Sequence, residues 1–63
     1  MPETNRRKIV SRLLREGWSA VHGGEHDKFT NPSHPGVLIV VPRHRELSAG
    51  VARSIAKQAG WQT

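Results

Sequence analysis

The stretch VHGGEHDKF, residues 21–29, sets His22 and His26 four positions apart around a pair of glycines. Imidazole exchanges a proton near neutral pH. A histidine held at a turn can therefore take the proton of a ribose 2′-hydroxyl or give one to a leaving oxygen. Lys28 follows two residues later and can offset the negative charge that builds on phosphorus during such a reaction. A second stretch, VVPRHREL (residues 40–47), delivers Arg43, His44 and Arg45 from an apolar run into a loop. Two guanidiniums there can clamp phosphates bidentately. Each group also has a plain structural counterpart, an exposed histidine at a hairpin end and a solvated basic loop.

Other chemistries find little support. His22, His26, His34 and His44 have no cysteine beside them, and their spacing is not that of a four-ligand zinc site. No metal and no cofactor are expected. Neither a serine triad nor a phosphate-binding loop nor a dinucleotide fingerprint is present.

The charge balance points to a class of partner. Ten Lys and Arg against five Asp and Glu leave a net charge of +5 on 63 residues. Such a field favours polyanions, above all nucleic acid. A chain this short makes one domain, residues 1–63, with a small core, and a binding partner could help to stabilise it. No apolar run approaches the ~20 residues of a membrane span, and the N-terminal residues lack the apolar region of a signal peptide. A soluble cytoplasmic protein is expected, in keeping with the lack of cysteine.

These groups need elements to hold them. TNRRKIVSRLLREGW has Ile9, Val10, Leu13 and Leu14 on one helical face and Lys8, Arg12 and Arg15 on the other. The pattern predicts a helix over about 5–16, capped by Thr4 and ended at Gly17. WSAVH, HDKFTN and GVLIVV read as three strands. Gly23-Gly24 is a two-residue hairpin signal, and the unbroken apolar run Val37–Val41 suggests the central strand. A two-residue turn opposes Val21 to His26 and Ser19 to Lys28, and puts Trp18, Ala20 and Phe29 together under the helices. His26 and Lys28 then share the open face, whereas Asp27 lands on the covered side and needs a polar partner. SAGVARSIAKQAGW predicts a second helix over about 48–59, capped by Ser48 and Gly60, with Trp61 folding back on its last turn. The order α-β-β-β-α implies an α+β fold, a three-stranded antiparallel sheet with both helices on one face.

Taken in order, the basic helix ending in GW, the turn HGGEHDKF, the strand end VPRH and the final SAGVARSIAKQAGW resemble the HicA family of toxins. The likeness runs from about Arg6 to Trp61. It implies a double-stranded-RNA-binding-domain-like fold and a ribosome-independent mRNA interferase, a metal-independent endoribonuclease neutralised by a HicB antitoxin. The family's catalytic histidine follows the glycine-rich turn, which here is His26, and its proline-x-histidine segment matches Pro42, Arg43 and His44. Lys28, Arg43, His44 and Arg12 are the expected RNA- and phosphate-binding residues. Many members have serine or asparagine in the turn. Gly24 and Glu25 stand here instead, and the carboxylate would repel a phosphate. The competing reading is a non-catalytic RNA-binding module of the same fold.

Overall fold

The structure is a computed structural model that describes residues 3–21, 24 and 26–61. The elements follow as α1 (Arg6–Arg15), β1 (Ser19–Val21), β2 (Asp27–Thr30), β3 (Ile39–Val41) and α2 (Ala49–Ala59). The strands form one antiparallel sheet in the order β1-β2-β3, and the helices cover one of its faces. This is the expected α+β, double-stranded-RNA-binding-domain-like arrangement. None of the described helices is long and apolar enough to cross a membrane.

Helix α1 forms because its residues are good helix formers without glycine or proline, and because its first turn is capped. The cap is Asn5, not Thr4: the Asn5 side chain accepts from the Lys8 amide at 3.2 Å. Thr4 is occupied otherwise. Its carbonyl accepts from the Leu47 amide at 2.8 Å, and its hydroxyl donates to Glu46. Gly17, at φ +93°, ends the helix in the left-handed region as expected. Ile9 and Leu13 are buried, but Leu14 is 54% exposed, because the apolar stripe is narrower than the sequence suggests. At 100° per residue Leu14 sits closer to Arg7 and Ser11 than to the buried pair.

Helix α2 is capped by the Ser48 side chain, which accepts from the Val51 amide at 3.2 Å, and ends at Gly60 with φ +80°. Ala52, Ile55, Ala56 and Ala59 turn inward. With Ile9, Leu13, Trp18, Phe29, Ile39, Val41 and Leu47 they form the core. Burying each large side chain contributes about 1.5–3 kcal/mol, set against the entropy of ordering the chain. The Trp61 amide bonds back to α2, donating to the Ala56 carbonyl at 2.7 Å, and the residue packs against the core. Its indole crosses to α1, where Nε1 donates to Glu16 Oε1 at 2.6 Å and the Arg12 guanidinium lies 4.2 Å from the ring centroid. The hydrogen bond from the indole, then the Arg12 hydrogen bond and charge, hold the Glu16 carboxyl below its ordinary value.

The sheet differs from expectation in two ways. Residues 22–26 connect the first two strands, so Val21 faces Lys28 and Ala20 faces Phe29, a shift of two positions from the two-residue turn. A shift of two keeps every side chain on its face, so Lys28 stays on the open side. The run Val37–Val41 supplies an edge strand, and β2 is the central one. Ile39 and Val41 are buried while Leu38 and Val40 are 44% and 39% exposed. The open face can hold apolar side chains without strand continuity, which is why the run looked doubly buried. Ala20 is exposed rather than covered, since β1 is the opposite edge.

Loop 31–38 is built around the buried Asn31. Its Nδ2 donates to the Glu16 carbonyl at 3.1 Å, and its Oδ1 accepts from the Ser33 amide at 2.9 Å. His34 stacks on Trp18, with ring centroids 5.1 Å apart and planes at 19°. An aromatic pair of this kind adds about 0.5–1.5 kcal/mol beyond its area burial.

Candidate functional site

His26 is exposed and immediately precedes β2. The pairing of Asp27 with Val41 sets it beside Pro42, the residue that leaves β3. Together with Leu38, Val40 and Pro42 from the β3 side and Val51, Ser54, Ile55 and Gln58 from α2, His26 lines a groove of about 370 Å³ along the β3 edge. The imidazole is thus exposed in a groove with apolar walls on one side.

Asp27 is the anchor of this end of the molecule. Arg43 Nη2 donates to its Oδ1 at 3.1 Å, and Arg6 Nη2 donates to its Oδ2. Arg6 also donates through Nε to the Pro42 carbonyl at 2.8 Å. The Arg43 hydrogen bond, then the charges of Arg43 and Arg6, hold the Asp27 carboxyl below its ordinary value. The partner that Asp27 needed is supplied twice, and α1, β2 and the end of β3 are tied at the residue next to His26. The sequence held no local sign of this, because Arg6 and Asp27 are 21 positions apart.

The expected site residues divide into two groups. His26 directly precedes Asp27, the residue that holds Arg43, and Lys28 is half-buried on the open face opposite Val21 and Val40. His44 is exposed in the loop after β3. Arg12 belongs elsewhere. It lies on α1, paired with Glu16 at 3.0 Å and stacked on Trp61. His22, Gly23 and Glu25 lie outside the described residues. The loop before α2 adds one group: Arg45, whose carbonyl accepts from the Arg6 amide at 3.0 Å, shares a pocket with Asn5, Arg6 and Arg7.

The arrangement offers an exposed imidazole at His26, an ammonium at Lys28 on the open face and a guanidinium at Arg43 in the loop after β3. A search of curated proteins returned no match. A family model described as HicA toxin of bacterial toxin-antitoxin matches residues 6–61, which takes in both helices, the sheet and the His26 turn. The chain belongs to the HicA toxin family, a toxin of a bacterial toxin-antitoxin pair that implies an antitoxin partner.

Proposed function

We propose that this toxin is an endoribonuclease, an mRNA interferase acting by histidine acid-base catalysis. The observation that supports the reading is the exposed His26 immediately before β2, lining the groove along the β3 edge. His26 takes the proton of a ribose 2′-hydroxyl, whose oxygen attacks the adjacent phosphorus. Alternatively, it gives a proton to the 5′-oxygen as that oxygen leaves. The bond to the 5′-oxygen breaks as the bond to the 2′-oxygen forms, which leaves a 2′,3′-cyclic phosphate and a 5′-hydroxyl. Lys28 and Arg43 balance the charge on the phosphorane. The second proton carrier is His44, His22 or water. The antitoxin is a HicB-like protein, and the site of action is the cytoplasm.

A positioned acid or base contributes typically ~10²–10⁴-fold. Purified His26→Ala should therefore cut RNA at least ~100-fold more slowly than the wild type. Its expression should not arrest growth, and wild-type cleavage should persist in EDTA. Equal cleavage by the two proteins would remove His26 from the mechanism.

One observation favours the alternative, a non-catalytic RNA-binding module. Seven of the ten Lys and Arg lie on the two helices, away from the open sheet face. In that case RNA would be retained intact and His26→Ala would bind as the wild type does.

A further inference from the structure

Helix α1 carries Arg6, Arg7, Lys8, Arg12 and Arg15 and no acidic residue. Three of these cations occupy the first turn, where the helix dipole favours negative charge. An exposed helix that merely needs solubility commonly mixes both signs and gains from pairs four apart. Three cations are matched among the described residues: Arg6 and Arg43 meet Asp27, and Arg12 meets Glu16. Arg7, Lys8 and Arg15 make no ion pair among the described residues. With Glu3, Ser11 and Arg12 they line an open groove along the outer side of α1. Glu3 stands at its N-terminal rim, where its carboxylate accepts from the Asn5 amide at 3.1 Å.

We propose that this groove is a docking track for the phosphodiester backbone of RNA, separate from the His26 end and gripped by Arg7, Lys8, Ser11 and Arg15. The inference rests on the reading of the protein as one that acts on RNA. Arg7, Ser11 and Arg15 recur every four residues, a step of about 6 Å along the helix axis. Two guanidiniums and a hydroxyl in that row, flanked by an ammonium, suit a chain of phosphates. Protein partners are instead anchored by apolar and aromatic side chains at the centre of an interface. The groove contains none. The exposed Val21, Leu38 and Val40 lie with the sheet, on the other side of the molecule, and the exposed Leu14 flanks Arg7 on α1 without lining the groove. The Arg45 pocket shares Arg7 with the groove, so positive charge continues from the track around the end of the molecule toward Arg43.

The test is the salt dependence of binding to a fluorescein-labelled 2′-O-methyl RNA of about 20 nucleotides, long enough for several backbone contacts. This probe has no free 2′-hydroxyl and survives the measurement. Each phosphate contact on a single strand contributes about 0.7 to the slope of log K against log salt. Lys8→Gln with Arg15→Gln should lower that slope by about 1.4. Arg53→Gln with Lys57→Gln removes as much charge from α2, outside the groove, and should lower it by less than about 0.5. Circular dichroism confirms the fold of each variant, which losing a first-turn cation does not weaken.

An unchanged slope in the α1 pair, or equal losses in both pairs, overturns the track. So does a loss confined to antitoxin binding, which would make the groove an acidic-protein surface. Cleavage of ordinary RNA, measured in parallel, keeps the two readings apart. A lowered slope supports the track even if the wild type cuts nothing, and His26-dependent cleavage with an unchanged slope sinks the track alone.

Discussion

At the scale of single residues, Asp27 does more for this molecule than its sequence neighbours reveal. It faces the covered side of β2, where a lone carboxylate would be costly, and two arginines from distant segments reach it. Its folded-state pKa is depressed by Arg43 and Arg6, so the stability it adds is present above about pH 4, the ordinary range of an aspartate. That contribution is lost as pH falls through the folded value. Asp27→Asn should accordingly lower the melting temperature at pH 7, and its difference from wild type should shrink progressively as the pH is taken below about 4. A difference that stays undiminished on acidification would mean the two arginines do not act through the charge. The same ion pairs restrain the Arg43 guanidinium, which lowers the ordering cost of the phosphate contact proposed for it.

At the scale of elements, the ends of the helices were legible and the strand partners less so. Ser48, Gly17 and Gly60 act as caps where the sequence placed them, because capping depends on a side chain or a φ value within one turn. A Cβ at Gly17 would meet Asn31 Nδ2 at 3.5 Å, an ordinary contact, so the backbone at φ +93° is what demands glycine. Gly17→Ala should destabilise the fold by about 1–2 kcal/mol, mainly through the left-handed backbone, and lower the urea midpoint accordingly. The β1–β2 pairing was misjudged because glycines permit a tight turn without requiring one. The face assignment survived, since side-chain alternation within β2 does not depend on where the loop closes. Asn5 displaced Thr4 as the cap of α1 once Thr4 was drawn into pairing with Glu46 and Leu47, contacts more than 40 residues away in sequence.

At the scale of the whole molecule, a small core leaves little to spare. A single core in a chain of this size rarely supplies more than about 3–5 kcal/mol. Leu13, completely buried between the helices and the sheet, should cost about 2–5 kcal/mol when cut to alanine. Leu13→Ala is therefore expected to be largely unfolded at 25 °C by far-UV circular dichroism. A cooperative melt above about 45 °C, the lower end of the ordinary mesophile range, would show that the core is not the main source of stability. Trp61 closes the structure at its far end by tying the segment after α2 to α1 through Glu16 and Arg12. Exposed contacts of this kind are individually modest, about 0.5–1 kcal/mol for the cation–π pair.

The sequence by itself determined the α-β-β-β-α order, the caps at Gly17, Ser48 and Gly60, and the basic character, and it singled out His26 as the candidate acid-base residue. Each of these follows from periodicity, composition or local chemistry, or from a motif read in order along the chain. Only the tertiary structure decided that Asp27 binds Arg6 and Arg43, that Arg12 serves Glu16 and Trp61, and that most of the positive charge sits over the helices. Those outcomes depend on which distant side chains arrive at the same place. Long flexible charged residues carry no periodic signal that says where their heads will settle.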